Sequence, residues 1–348
     1  MIFKKMISCV PFSPLKEKNK YFNFCPLVSK ESPEWLLPSI KMYWQGFKNR
    51  KHEKVEYQAW VEGSLGLKQF ENLPGTLISW MGHASMLIRI NGLTILTDPI
   101  IESPSFLYKR ILPFATTFDA LPKIDVVLIS HNHRDHMDTK TLLALFKRDN
   151  PLFLVPEGDK NWFLKRNITK VEECTWWEQV ILPELSFTFV PAYHWSQRGL
   201  FDHNKSLWGG WVIKSEKETI YFAGDTAYQK EYFTAIGEVF PAIDIVLMPI
   251  GPCEPIDLMY RSHVNAEQAA QAFLDCKGRY FIPMHWGTFY FGVDLFEDPL
   301  KRIYTWWQQN LIKVPQNSLY VLKVGQLFHL DIPHKSSCSN MHDQNRQK

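Results

Sequence analysis

From about residue 76 onward, apolar positions along the chain fall into short runs of strand length and segments of helical spacing. Thr76–Trp80, Ser85–Ile90 and Thr94–Leu96 read as short strands, and Asn91-Gly92 supplies a hairpin turn of the kind that needs positive φ. Ile124–Ser130 is a buried-looking strand, Thr139–Lys147 has helical spacing, and Leu152–Val155 is again a strand. Leu185–Val190, Leu207–Ile213 and Thr219–Ala223 continue the strands. The second half repeats the alternation, with Ile243–Ile250 as a strand, Asn265–Asp275 as a helix, Tyr280–Pro283 as a strand and Pro299–Asn310 as a helix. Asn265, followed by Glu267 and Gln268, fits a helix N-cap. Strand-only blocks mixed with strand–helix–strand units predict an α/β protein of two sheets packed face to face with helices outside.

Residues 1–70 show no sustained period and carry Pro11, Pro14, Pro26, Pro33 and Pro38, which predicts a partly extended arm with one short helix around Ile40–Lys51. Residues 71–335 form the main domain, and the polar segment 336–348 is expected to be disordered.

Composition narrows the class. The chain has 348 residues, 45% of them hydrophobic and 14% aromatic, ample for a sizeable core. A net charge of +3 fits neither a polyelectrolyte nor a strongly basic nucleic-acid binder. The charge is uneven: residues 1–60 hold eleven Lys/Arg against five Asp/Glu, so the basic, aromatic-bearing arm suits an anionic membrane surface or a solvated segment folded over the domain. Cys9, Cys25, Cys174, Cys253, Cys276 and Cys338 form no C-x-x-C pair, so neither a disulfide framework nor a zinc knuckle is indicated. The longest apolar runs are far short of the roughly 18–20 residues that span a bilayer, and the apolar stretch before Cys9 is shorter than a signal sequence requires. The expected location is the cytoplasm or a membrane periphery, with export by some other signal left open.

The chemistry concentrates in Ser130-His131-Asn132-His133-Arg134-Asp135-His136, three imidazoles and a carboxylate in six positions after an apolar strand. Alternation puts His131 and His133 on one side, and a turn through Arg134 presents Asp135 and His136 nearby. Imidazole plus carboxylate is the ligand mix of zinc or a similar first-row metal. Three more segments place a ligand after an apolar strand: Phe187–Val190 before His194, Ile220–Ala223 before Gly224-Asp225-Thr226, and Tyr280–Met284 before His285-Trp286-Gly287. Five histidines and two aspartates exceed one tetrahedral ion and suit two. The expected arrangement has His131, His133 and His194 on one ion, Asp135, His136 and His285 on the second, and Asp225 bridging.

His-x-His-x-Asp-His, a distant His, a Gly-Asp strand end and a last His resemble the metallo-β-lactamase fold superfamily. Trp80-Met81-Gly82-His83-Ala84, Leu96-Thr97-Asp98-Pro99-Ile100, His194-Trp195-Ser196, Phe222–Thr226 and His285–Phe289 are similar to its N-acylphosphatidylethanolamine-hydrolysing phospholipase D branch. The similarity runs from about Thr76 to Gly325 and touches Pro33–Trp44 in the arm. The resemblance implies a four-layer αβ/βα sandwich of two mixed sheets, a hydrolase domain over 71–335, and two zinc ions per chain bridged by Asp225 and a hydroxide. It adds His263, from His263-Val264-Asn265-Ala266-Glu267-Gln268-Ala269, as a catalytic residue beside Asp135. The sequence departs from the family at Ser262, often Gln, and at Arg134, commonly Tyr. That change leaves Arg134 either a phosphate partner or an outward salt bridge. His83 and Asp98 are expected to support the ligands from behind.

Two metal ions make hydroxide available near neutral pH for in-line attack at phosphorus. The expected activity is hydrolysis of N-acylphosphatidylethanolamine at a phospholipid surface, releasing an N-acylethanolamine and phosphatidic acid. The alternatives are a metal-dependent hydrolase of a soluble substrate, such as a lactonase or another phosphodiesterase, and a binding protein with a structural metal site. Nucleic acid is disfavoured by charge, and the family resemblance implies a homodimer.

Overall fold

The computed structural model describes residues 2–8, 10–24, 36–51, 53–63, 67, 70 and 73–330. Cys9, Cys25, Cys338, the segment 336–348 and Pro33 of the Pro33–Trp44 similarity lie outside the described residues.

In chain order, the N-terminal segment supplies β1 (Phe3–Met6), β2 (Leu15–Glu17), β3 (Lys20–Phe22) and α1 (Leu36–Arg50). The first half of the domain supplies β4 (Thr76–Gly82), β5 (Ser85–Ile90), β6 (Leu93–Thr97), β7 (Val126–Leu128), α2 (Thr139–Asp149), β8 (Leu152–Pro156), α3 (Lys160–Leu164) and β9 (Val171–Cys174). The second half supplies β10 (Glu178–Ile181), β11 (Ser186–Val190), β12 (Gly210–Lys214), β13 (Thr219–Phe222), α4 (Lys230–Val239), β14 (Ile243–Pro249), α5 (Ile256–Met259), α6 (Ala266–Asp275), β15 (Gly278–Met284) and α7 (Asp298–Gln309). The last strand, β16 (Leu327–Leu330), returns to the first half.

Two seven-stranded mixed sheets result. One has the order β16-β4-β5-β6-β7-β8-β9, antiparallel up to β6 and parallel from β6 to β9. The other has the order β1-β10-β11-β12-β13-β14-β15, antiparallel up to β13 and parallel beyond. A single hydrophobic core contains side chains of both sheets, among them Ile88, Leu128, Leu154, Phe189, Trp211 and Leu247. Parallel neighbours need a long crossover, usually helical: α2, α3, α4 and α6 lie in the crossovers to β8, β9, β14 and β15, while β6 reaches β7 through a long loop with only a single 3-10 turn, Phe118–Ala120. Trp176, Trp177, Trp208 and Trp211 belong to the hydrophobic core: all four are fully buried, and Trp211 Nε1 donates to Ile129 O at 2.9 Å.

Within the expected arm, β1 pairs antiparallel with β10, with Phe3 opposite Ile181. This part of the arm is an edge strand of the sheet, which its fully exposed pattern could not reveal because it is held by backbone pairing and by Lys4 Nζ, 2.8 Å from Glu178 Oε1, rather than by apolar burial. The arm helix begins at Leu36 rather than Ile40, running back over Pro38, since proline is tolerated in a first helical turn.

Candidate metal centre

Ligand candidates leave the C-terminal ends of strands at one edge of the sandwich. β7 ends at Leu128, and the turn after it carries His131 to His136. β11 leads to His194, β13 to Asp225 and β15 to His285. Strand ends accept these polar groups because the sheet's own hydrogen bonding stops there. The sharp exits need unusual backbone: Gly224 (φ +63) precedes Asp225, and a Cβ there would lie 2.5 Å from Ser130 Cβ.

The side chains gather into two groups. His131, His133 and His194 offer nitrogens that lie within 4.8 Å of one another; His131 Nε2 is 2.8 Å and His194 Nε2 3.3 Å from His133 Nδ1. Asp135, His136 and His285 form the second group, which His83 joins. Asp225 stands between them, with Oδ2 3.2 Å from His136 Nε2 and 4.0 Å from His194 Nε2, and Oδ1 3.1 Å from His285 Nε2. His263 Nδ1 lies 3.7 Å from Asp225 Oδ2. The structure thus brings together all seven predicted ligands and His263.

Behind the donors, a polar layer fixes ring orientation. Asp98 is fully buried and accepts from His136 Nδ1 at 2.8 Å, from Ser130 Oγ at 2.5 Å and from Ser130 N at 2.7 Å. Ser130 Oγ also lies 2.9 Å from His131 Nδ1, so one carboxylate organises two rings. His83 Nε2 donates to Asp135 Oδ2 at 3.1 Å. His194 Nδ1 donates to the carbonyl of Ser262 at 2.8 Å, and His285 Nδ1 to that of Gly251 at 3.0 Å. The bonds made through Nδ1 of His131, His136, His194 and His285 direct Nε2 of those rings toward the shared centre.

Sequence reasoning missed Ser130, which a serine ending an apolar strand does not advertise. It also missed the carbonyl of Gly251, since every residue has one. Ser262 serves through its carbonyl rather than its hydroxyl. Arg134 is exposed and its Nε and Nη2 lie 3.4 Å from Arg198 O, while Arg261 lines the cavity beside the centre.

The fit to metal ions shows in unmet valences. His136 Nε2, His285 Nε2 and Asp225 Oδ1 are buried at the centre with ionic contacts of 3.2 and 3.1 Å to one another's residues but no well-directed hydrogen bond among the described residues, an arrangement that costs free energy unless something binds there. Burial lowers the pKa of His133 to about 4 and of His194 and His263 to about 3, and drives His131 and His83 well below the ordinary range, so these rings present neutral lone pairs. Burial works against charge on Asp135 and Asp225 too, yet the surrounding imidazoles, His136 foremost, hold both carboxyls well below their usual range. On His136 burial is overcome by Asp225 and Asp135, which raise it well above the usual value. Neutral imidazoles around ionised carboxylates, with His136 yielding its proton where a cation takes its place, make a donor set that suits a divalent metal.

A cavity of about 450 Å³ opens over this centre, with His133, Asp135, Asp225, His263 and His285 at its floor. Its walls include Met42, Tyr108, Trp195, Met259 and Phe291. The first of these comes from α1.

Comparison with known proteins agrees with this geometry. Residues 94–286 match the model of the β-lactamase superfamily domain. A Caenorhabditis elegans protein named N-acyl-phosphatidylethanolamine-hydrolyzing phospholipase D 1 is 32% identical over 300 residues, 81% of this chain and 81% of that protein. The mitochondrial protein of that name from Saccharomyces cerevisiae is 33% identical over 237 residues, 65% of this chain, which spans only 50% of that protein's length. Among solved structures, a metallo hydrolase from Ignicoccus hospitalis superimposes with a TM-score of 0.58 at 21% identity, covering 74% of this chain and 99% of that one. A fold of two mixed sheets, a buried His/Asp centre at their edge and these matches establish a metallohydrolase. The chain belongs to the metallo-β-lactamase fold superfamily and, within it, to the N-acylphosphatidylethanolamine-hydrolysing phospholipase D family.

Proposed function

We propose that this metallohydrolase is a dinuclear-zinc phosphodiesterase of the phospholipase D type, cleaving N-acylphosphatidylethanolamine to an N-acylethanolamine and phosphatidic acid. The observation that carries the chemistry is the pair of donor groups sharing Asp225 at the floor of the cavity. The names of the two curated relatives support the substrate.

In this reading His131, His133 and His194 hold one ion and Asp135, His136 and His285 the other, with Asp225 serving both. Two such ions activate water for in-line displacement and neutralise charge growing on phosphate oxygens. The protein's own groups do the rest. Asp98 and the carbonyls of Ser262 and Gly251 lock the rings, so little reorganisation accompanies the reaction. His263, kept neutral by burial and open to the cavity, can accept the proton that the attacking water gives up and pass it to the departing alcohol oxygen as the P–O bond breaks. Arg261, on the cavity wall, offers a cation to the phosphate of the bound lipid. Two apolar wall residues, Met42 and Phe291, suit acyl chains.

Product analysis by mass spectrometry tests this. Purified protein is mixed with vesicles of N-acylphosphatidylethanolamine, phosphatidylethanolamine and phosphatidylcholine, alongside the Asp225→Ala variant. N-acylethanolamine and phosphatidic acid forming only with intact Asp225 is the expected result. Bound zinc with every lipid untouched would point instead to a soluble substrate.

A further inference from the structure

The segments that wall the cavity also hold apolar side chains out in solvent. Tyr108 lines the cavity and directly follows Phe106, 84% exposed, and Leu107. Gln197 and His203 line it and bracket Leu200 and Phe201, which are 86% and 85% exposed. Met42 lines it from α1, the helix that presents exposed Trp44 and Phe47, packed edge to face at 6.2 Å. Single exposed apolar residues are ordinary, but six on three segments around one opening mark a contact surface.

The 195–205 loop is braced so that its tip stands out. Asp202 accepts the N–H groups of Arg198 and Gly199, and Asn204 N donates to Ser196 O at 2.7 Å across the base. Arg198 donates to Met137 O at 2.6 Å, to Asn132 O at 3.3 Å and to Thr139 Oγ1 at 2.5 Å, tying the loop to both ends of the metal-binding turn. Trp195, at the root of the loop, lies against the His133 ring at 4.2 Å. A tip held this way loses little conformational freedom when it is buried. The same segments present exposed Lys41, Lys109 and Lys205, and exposed Arg134 in the metal-binding turn and Arg261 on the cavity wall add two further cations. The acids nearby are fewer or engaged: Glu102 pairs with Lys140 at 2.8 Å, Asp202 holds backbone amides, and Asp257 is exposed.

Apolar tips ringed by cations match a lipid surface of negative charge better than a second copy of this near-neutral chain. We infer that Leu200 and Phe201, with Phe106 and Leu107 beside them, insert into an anionic bilayer and set the cavity mouth on the membrane plane, leaving the basic strand β1 a secondary role. The purpose of this surface rests on the lipid-substrate reading, but its test does not.

The test is vesicle flotation of the full chain with phosphatidylcholine alone and with phosphatidylcholine containing phosphatidylglycerol. The variants compared are Leu200→Ser/Phe201→Ser, Phe106→Ser/Leu107→Ser and Lys4→Glu/Lys5→Glu in β1. Wild type is expected to float with the anionic vesicles. Each tip pair should lower partition at least tenfold, since burying each side chain is worth roughly a factor of ten or more. The β1 variant should stay within about twofold. Turnover of soluble bis(p-nitrophenyl) phosphate should be unchanged in the tip variants, showing an intact centre.

Tip variants that float like wild type, or a wild type that floats with neither vesicle, overturn the inference. So does a tip variant that changes only the sedimentation coefficient, which assigns the surface to a second copy. If wild type floats through its tips yet leaves N-acylphosphatidylethanolamine intact, the docking surface stands and the substrate reading falls. If it cleaves that lipid with partition indifferent to the tips, the reverse holds.

Discussion

Single residues decide the geometry of the centre through backbone as much as through chemistry. Gly224 holds φ +63 against Ser130, the residue that links Asp98 to His131. Gly224→Ala would combine left-handed strain with overpacking, and we expect a loss of about 2–4 kcal/mol in denaturant unfolding together with reduced metal content by elemental analysis. Asp159, which braces the metal-binding turn from behind through Asn132, offers a different test. Burial raises its carboxyl to about 7, opposed only in part by hydrogen bonds from Ser206 Oγ and Asn132 Nδ2 to its Oδ1. Its native pKa therefore exceeds the unfolded value, so the folded state binds the extra proton between about pH 4 and 7. Stability from this group is intact below about pH 4 and declines as pH rises through 7. Asp159→Asn keeps the acceptor oxygen and removes the charge. It should be neutral near pH 4 and stabilising by roughly 2–4 kcal/mol at pH 8, read from urea unfolding at both pH values. An equal effect at the two pH values would refute the assignment.

At the scale of elements, α6 shows how local sequence places a candidate catalytic group. Asn265 Oδ1 accepts from Gln268 N at 2.8 Å, and Gln268 Oε1 accepts from Asn265 N at 3.1 Å, a reciprocal capping box two residues after His263. Asn265→Ala should cost about 1 kcal/mol in thermal or chemical unfolding while leaving metal content unchanged, because no ligand lies in this turn. This cap was legible in the sequence, as were the central strands, since Ile245–Ile250 and Ile220–Ala223 are continuous apolar runs of the kind that two-sided burial explains. The edges were not. β1 exposes every side chain, and β9 and β10 are four residues each with glutamates among them, so their pairing rests on backbone bonds that leave no hydrophobic period. The strand read as Leu207–Ile213 starts only at Gly210, because Gly209 passes so near β11 that a Cβ would meet Val190 O at 2.5 Å. Helix α4 was a signal overlooked: Tyr232, Phe233 and Ile236 carry its buried face at helical spacing. The seven candidate ligands were readable because each follows an apolar strand directly. The apolar rim of the cavity was not, since loop residues such as Leu200 and Phe201 look alike whether they are buried or held in water.

The whole molecule places its centre across the seam of its two sheets. His131, His133, Asp135 and His136 extend from β7 of one sheet, while His194, Asp225 and His285 extend from β11, β13 and β15 of the other. Ions bound there join two layers that are otherwise held by the common hydrophobic core. The core is large enough to keep the fold without them, so metal should add to stability rather than create it. A ligand present at about a hundred times its dissociation constant adds roughly 2.7 kcal/mol, and two ions about twice that. For a domain of this size each kcal/mol moves Tm by roughly 2–4 °C. Removing metal with a chelator should therefore lower Tm by about 10–20 °C with far-ultraviolet circular dichroism unchanged, and zinc should restore it. Asp225→Ala takes away the carboxylate that faces both donor groups, so its Tm should respond to zinc by less than half as much. A chelated protein that loses its secondary structure would show that the seam depends on the ions for folding. A Tm indifferent to chelator and zinc alike would show that the buried nitrogens of His136 and His285 are satisfied in some other way.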